Sequence, residues 1–122
     1  MPENLDAAAR AEIRHNSHMD NLLKNLPTDL PEELFETLVQ SETVHVERIV
    51  SRGHVSPAGD WYDQERNEFV LLLQGVARLE FKEGYEVELE PGDWLGIPAH
   101  RKHRVAWTDP DQPTIWLAVH YE

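Results

Sequence analysis

The sequence predicts an all-β protein, a small closed antiparallel β-barrel with one internal pocket, over residues 43–121. Short apolar segments recur along this part of the chain, each closed by turn-forming residues, and no helical pattern separates them. Strands of this length and spacing are typical of a sandwich or barrel, because the strands of a parallel sheet alternate with helices. The 122 residues suffice for one domain with a buried core.

Residues 1–41 are predicted to be a helical extension ahead of the barrel domain, residues 42–122. Residues 4–26 have helical composition. Apolar side chains recur there at a spacing of four: Leu5, Ala9 and Ile13. Residues 1–18 are either an authentic helix or a cloning remnant, since Ser17-His18-Met19 resembles a cloning site.

A second short helix is predicted after Pro31. Proline is favoured in the first helical turn, and Glu32 and Glu33 suit the positive end of a helix dipole. An apolar face would follow, formed by Leu34, Phe35 and Leu38. We expect this helix to cover one end or edge of the barrel.

Seven strands are predicted from residue 43 onward. In the first, Val44, Val46 and Val50 occupy alternating positions. The other six are 69–73, 76–81, 85–89, 94–97, 103–107 and 115–120. The breaks between them are rich in Gly, Pro and Asp, and they include Gln74-Gly75, Glu83-Gly84 and Pro91-Gly92-Asp93. Gly75 is expected to adopt a positive φ, because it separates two apolar strands at a tight bend.

Composition excludes several classes of function. The formal net charge is −12, from 23 acidic and 11 basic residues, so nucleic acid and anionic membranes are disfavoured as partners. The absence of cysteine rules out disulfides and thiolate metal sites. No apolar run approaches the roughly 20 residues of a membrane helix, and the N-terminus has no apolar signal core. The expectation is a cytoplasmic protein.

Two segments carry a specific pattern. One is EFVLLLQG, residues 68–75, and the other is PGDWLGIPAHRKH, residues 91–103. They resemble the two signature motifs of the cupin superfamily. The first of these has two histidines one residue apart, then a Glu, then a Gly seven residues later; the second has Pro-Gly-Asp, Ile-Pro-Ala and a His. The resemblance covers about residues 56–121 and implies a double-stranded β-helix, or jelly-roll, barrel.

The resemblance also implies a metal site with Glu68 and His103 as ligands. The two first-motif histidines are replaced, however, and depending on the spacing to Glu68 their positions hold either Tyr62 and Gln64 or Trp61 and Asp63. Gln64 or Asp63 could add an oxygen ligand. Such a His-plus-oxygen site suits Mn²⁺, Fe²⁺, Mg²⁺ or Ca²⁺ better than copper or structural zinc. A pocket without metal is an equal alternative.

Three further residues are predicted to bind a small molecule in the pocket. Trp107 follows His103 by four residues, so strand alternation places both on one face. With Tyr62, Trp107 could bind an apolar or planar ligand. His100 is expected either at the pocket mouth or on a solvent-facing loop.

Three functions fit these residues, and the sequence assigns no catalytic residue. One is a metal-dependent small-molecule enzyme, an oxygenase or isomerase. Another is a metal-free binding or sensor domain, and the third is a metal-free isomerase or epimerase that uses His103 with Glu68 or Asp63 as acid and base. By analogy with cupins we expect a homodimer, formed through an edge strand at residues 43–51.

Overall fold

The computed structural model describes residues 19–122, which contain eight β-strands and no helix. The strands are β1 (Leu34–Gln40), β2 (Val44–Ser51), β3 (Asn67–Gln74), β4 (Ala77–Phe81), β5 (Tyr85–Leu89), β6 (Trp94–Ile97), β7 (His103–Thr108) and β8 (Thr114–Tyr121). The seven strands predicted from residue 43 onward are all present. Nothing within residues 19–122 is a helix long and apolar enough to span a membrane.

The strands form two antiparallel sheets that face each other. The larger has the order β1-β2-β8-β3-β6 and the smaller the order β5-β4-β7. Apolar side chains from both sheets meet in one core, in which Leu72, Phe81 and Trp116 are buried. This arrangement confirms the predicted all-β, double-stranded β-helix architecture.

The turn Pro91-Gly92-Asp93 joins β5 to β6 and is fixed to the end of β3. Gly92 has a φ of 95°, and the Asp93 N–H donates to the Glu90 carbonyl over 2.9 Å. Two backbone bonds tie the turn to Leu72, since the Leu72 N–H donates to the Asp93 carbonyl and the Gly92 N–H donates to the Leu72 carbonyl. The turn therefore positions β6 beside β3, the strand that carries Glu68.

Gly75 ends β3 with a φ of 87°, as its position between two strands predicts. A Cβ atom there would lie 2.5 Å from Thr114 Oγ1 and 2.8 Å from Thr114 Cα. Both the backbone angle and the close approach of β8 therefore require glycine at this position.

The prediction of a short helix after Pro31 is wrong, because Leu34–Gln40 form strand β1. It pairs antiparallel with β2, with one bulge between Thr37 and Val39. The hydrogen bonds of this ladder override a weak local preference for helix, and β-branched Thr37 and Val39 suit a strand. The helix predicted over residues 4–18 lies outside the described residues, and residues 19–26 are not helical.

The edge strand of the larger sheet is not the one that the sequence predicted. Because β1 covers β2, residues 43–51 are an interior strand, and β1 is the strand at this edge of the described sheet. The sheet thus extends to the N-terminal side of the boundary predicted at residue 42. Arg48 on β2 holds the preceding segment, since its guanidinium donates to the carbonyls of Leu22 and Lys24 and pairs with Glu36.

Candidate functional site

A cavity of about 80 Å³ lies between the two sheets. One part of its lining is apolar, formed by Phe35, Ile49, Val70, Leu79, Ile97, Val105 and Trp116. The other part is polar, formed by Glu33, Glu47, Gln64, Glu68, His103 and His120. Gln64 and His120 also line a second, more open pocket with His45 and Arg66, so they lie where the cavity meets the protein surface.

His103 is held in the cavity wall by backbone bonds at the start of β7. Its N–H and carbonyl pair with those of Tyr62, and the two rings lie 5.6 Å apart between centroids. His103 Nδ1 lies 2.9 Å from the Arg101 carbonyl oxygen. Because a carbonyl can only accept, Nδ1 carries the hydrogen, which leaves Nε2 of the neutral ring with its lone pair directed into the cavity.

Glu68 faces His103 across the cavity from β3. Glu68 Oε1 lies 3.6 Å from His103 Nε2, and both residues are buried. Within residues 19–122, Glu68 Oε1 and Gln64 Oε1 are buried oxygens without a hydrogen-bond donor. A buried acceptor without a donor is costly, so these two oxygens are suited to receive a cation or a ligand donor.

A second carboxylate–imidazole pair stands beside the first. His120 Nε2 lies 2.7 Å from Glu47 Oε2 and 3.9 Å from Glu68 Oε2. The hydrogen bond to Glu47 raises the pKa of His120 above its ordinary value. His103, Glu68, His120 and Glu47 thus form a continuous row, which we call the polar cluster.

The sequence analysis did not assign Glu47 and His120 to the pocket. They lie far apart in the chain, on neighbouring strands β2 and β8, and the register of those strands brings them together. The sequence contained a signal on each strand. Glu47 precedes the pocket residue Ile49 by two residues, and His120 follows Trp116 by four, so strand alternation places each pair on one face.

Glu33 is also a pocket residue that the sequence analysis missed. Burial raises the pKa of its carboxyl group, although a hydrogen bond from the Ser51 hydroxyl opposes the shift. Burial likewise raises the pKa of the Tyr62 phenol. The cavity wall therefore carries two further groups that hold their protons more strongly than usual.

The structure brings together four of the predicted site residues, namely Glu68, His103, Gln64 and Tyr62. Of the two possible spacings, it is Tyr62 and Gln64, and not Trp61 and Asp63, that line the cavity. Asp63 and His100 do not reach it, since Asp63 Oδ1 pairs with His100 Nδ1 over 2.8 Å at the surface.

Trp107 also lies outside the cavity lining, and a β-bulge explains why. Arg78 stands opposite Trp107 and Leu79 opposite Val105, so Ala106 is an extra residue in β7. Val105 lines the cavity on the same face as His103, and the bulge after it reverses the alternation and places Trp107 on the other face. There the Arg78 guanidinium lies 5.0 Å from the centroid of the Trp107 ring.

The donor set decides how well a metal would fit. Within residues 19–122, no three His, Cys, Asp or Glu side chains are arranged to hold a metal ion. His103 Nε2 and Glu68 Oε1 are nonetheless close enough to share one ion, since two ligands at about 2.1 Å from it stand at most about 4.2 Å apart. The unpaired amide oxygen of Gln64 belongs to the same cavity wall, so the donor types present are those of a His-plus-oxygen site.

Comparison with known proteins agrees with the fold. The family model described as a cupin domain matches residues 49–120. A protein from Ralstonia eutropha JMP134, provisionally assigned as a mannose-6-phosphate isomerase, is 42% identical with a TM-score of 0.82, and the match covers 86% of this chain and 98% of that one. No curated protein matches the chain.

Two more distant solved structures share the fold. A cupin superfamily protein from Desulfitobacterium hafniense DCB-2 is 22% identical with a TM-score of 0.66, over 79% of this chain and 83% of that one. A cupin family protein with a double-stranded β-helix fold, from Methanocaldococcus jannaschii, is 18% identical with a TM-score of 0.62, over 80% of this chain and 86% of that one.

Proposed function

The chain belongs to the cupin superfamily, and from that premise we propose that its cavity binds a divalent metal and a small molecule, as the site of an isomerase. One observation carries the metal proposal. The side chains of His103, Glu68 and Gln64 line one cavity and offer lone pairs, and neither Glu68 Oε1 nor Gln64 Oε1 has a donor among residues 19–122. A cation shared by His103 Nε2 and Glu68 Oε1 would satisfy both atoms, and with Gln64 Oε1 as a further ligand the mix of one nitrogen and two oxygens favours Mn²⁺ or Fe²⁺.

The protein's own side chains supply the remaining chemistry. When bound, the metal would polarise a carbonyl or hydroxyl oxygen of the substrate. An isomerisation that moves hydrogen between neighbouring carbons also needs a group that takes a proton and returns it. Glu33 and the His120–Glu47 pair line the same cavity and hold ionisable groups for this step. The Arg101 carbonyl fixes the orientation of the His103 ring.

Isomerase is preferred to oxygenase because of the 42% identical Ralstonia protein, whose provisional assignment is to an isomerase. The match spans nearly the whole of that protein, so a shared reaction class is a reasonable inference. The substrate itself need not be shared, because residues of the cavity wall decide it.

Metal analysis and thermal melting test the metal site. We expect purified protein to bind Mn²⁺ or Fe²⁺ and to melt at a higher temperature with the ion present. Glu68→Gln and His103→Gln should lose that increase. Glu88→Gln is the matched control, since Glu88 pairs with Arg78 at the surface and should respond like wild type. A wild-type protein with no bound metal and no change in melting temperature would refute the metal site.

A metal-free acid–base isomerase or epimerase is the second candidate. It is favoured by the Glu47–His120 pair, in which the two side chains already share a hydrogen bond. Turnover that persists in a chelator and disappears in His120→Gln would establish it. A ligand that binds without turnover and without metal would point instead to a metal-free binding domain.

We also propose a homodimer, with β1 as the contact in place of residues 43–51. β1 presents exposed apolar side chains, with Phe35 53% and Val39 62% exposed. Pairing of two copies of β1 would satisfy their edge backbone groups. Analytical ultracentrifugation of wild type and Leu38→Pro would test this, since a proline on the edge should leave a monomer.

A further inference from the structure

Trp116 holds a buried polar atom that the metal proposal does not use. The residue lies in β8 with 4% of its surface exposed, and its side chain lines the cavity. Within residues 19–122, its indole Nε1 has no hydrogen-bond partner. The indole nitrogen is a donor only, so it needs an acceptor.

An unpaired donor in this position calls for an explanation. Buried N–H groups in proteins are nearly always paired, and a phenylalanine would fill a similar space without a polar atom. The cross-strand partners of Trp116 are Ile49 on β2 and Leu72 on β3, and neither has a side-chain acceptor. A molecule bound in the cavity that Trp116 lines could supply the missing acceptor.

The charges of the cavity wall limit what this molecule can be. Among residues 19–122, three carboxylates line the cavity and no lysine or arginine does. Protein sites for phosphate esters use such cations or backbone N–H groups. A phosphate group would meet Glu33, Glu47 and Glu68 here, and the proposed metal would already share its charge with Glu68, so the wall favours an uncharged ligand.

We propose that Trp116 recognises the substrate by donating its indole N–H to a substrate oxygen, and that the substrate is a small, unphosphorylated hydroxycarbonyl compound. This rests on the proposed isomerase function. One oxygen of the compound would reach the polar cluster, and another would accept from Trp116, while its carbon atoms contact the apolar wall. The chain would then differ in substrate from an enzyme of sugar phosphates.

The indole N–H resonances of ¹⁵N-labelled protein test the contact directly. The chain has four tryptophans, so four indole signals are expected and Trp→Phe variants assign them. Dihydroxyacetone is the probe, and dihydroxyacetone phosphate is its charged counterpart. We expect dihydroxyacetone to shift the Trp116 signal in a saturable way, with no comparable shift from the phosphate ester at equal concentration.

Binding to Trp116→Phe supplies the second measurement. Loss of one hydrogen bond should weaken dihydroxyacetone binding about five- to tenfold. Trp94→Phe is the control, because Trp94 is 64% exposed and does not line the cavity, and the affinity of this variant should equal that of wild type. The ligand-free Trp116→Phe protein should melt near the wild-type temperature, since the substitution also removes an unpaired donor.

Several results would overturn the proposal. They are an unmoved Trp116 signal, an equal affinity in wild type and Trp116→Phe, and phosphate-ester binding as tight as that of dihydroxyacetone. If Trp116→Phe does not fold, the wild-type resonance shift still decides. The affinity titrations are run with Mn²⁺ and again with a chelator, and the resonance titrations are run in a chelator because Mn²⁺ is paramagnetic. Binding in both conditions with no effect of metal would keep the Trp116 contact and remove the metal site, so the two proposals fail separately.

Discussion

The motif turns, which we define as Gly75 and Pro91-Gly92-Asp93, and the polar cluster of the cavity depend on the sequence in different ways. Each motif turn is specified by residues next to one another. Gly75 and Gly92 adopt φ values of 87° and 95°, and Asp93 closes its own turn by a bond to Glu90. The polar cluster is assembled from β2, β3, β7 and β8, and its four members meet only because the strands pair in one register.

This difference suggests that the motif turns stabilise the barrel, whereas the polar cluster gives it a function. A motif turn can be recognised from local turn chemistry, since few residues tolerate a positive φ. A polar cluster costs stability when its charges are buried and imperfectly paired. We therefore expect substitutions in the motif turns to lower the free energy of unfolding, and substitutions in the cluster to act mainly on binding and on pH dependence.

The largest effect is expected for Gly75→Ala. A methyl group there would lie 2.5 Å from Thr114 Oγ1 and 2.8 Å from Thr114 Cα, and a backbone atom cannot move aside cheaply. Urea denaturation should show a loss of more than about 3 kcal/mol. Gly59→Ala is the matched control, with a φ of 82° and open space at the Cβ position, and should cost about 1 kcal/mol. Equal losses in the two variants would contradict the steric argument.

The strands of the barrel could be predicted because each is short, apolar and bounded by such turns. All seven strands expected after residue 43 are present, and 85–89 and 94–97 match to the residue. β1 was missed because its sequence, LFETLVQ, satisfies a helical apolar face as well as a strand. Only its pairing with β2 decides between the two, and pairing is not visible locally.

The part of the candidate site that lies in local sequence motifs could also be predicted. Glu68 and His103 follow from the motifs, and both lie in the cavity. Trp107 was misplaced because a single extra residue, Ala106, reverses the alternation of β7. Glu33 and Glu47 look like ordinary surface carboxylates in the sequence, and their burial follows from the packing of two sheets.

Asp93→Ala tests whether a side chain in a motif turn contributes as much to the free energy of unfolding as a glycine such as Gly75. Asp93 Oδ2 accepts from the Glu90 N–H over 2.8 Å, and alanine would leave that donor to solvent. We expect a loss of about 1 kcal/mol in the free energy of unfolding, measured by urea denaturation. Asp93→Asn keeps an oxygen acceptor and should lose less. A loss as large as that of Gly75→Ala would show that the side chain, and not the backbone, fixes the turn.

The pH dependence of stability tests the polar cluster. The pKa of His120 is raised in the folded protein by its hydrogen bond to Glu47, so its contribution is complete below the unfolded value of 6.5. It is lost as pH rises through the higher folded value, so stability should fall on going from pH 6.5 toward pH 9. Thermal melts in a chelator should show this fall in wild type.

His120→Gln and Glu47→Gln should each flatten that fall, because each removes one partner of the hydrogen bond. The double variant should be no flatter than either single variant, as expected for two groups that act through one bond. A wild-type melting temperature that rises between pH 6.5 and pH 9 would contradict the sign of the pKa shift.

The smallest effect is expected at Asp63, and it separates the two spacings of the first motif. Asp63 pairs with His100 at the surface, where an ion pair contributes little, so Asp63→Ala should change the free energy of unfolding by less than about 0.5 kcal/mol. It should also leave the metal-dependent rise in melting temperature intact. Gln64→Ala removes the unpaired oxygen inside the cavity and should abolish that rise. The reverse pattern would show that the metal lies outside the cavity wall. It would also show that Trp61 and Asp63, and not Tyr62 and Gln64, occupy the positions of the two first-motif histidines.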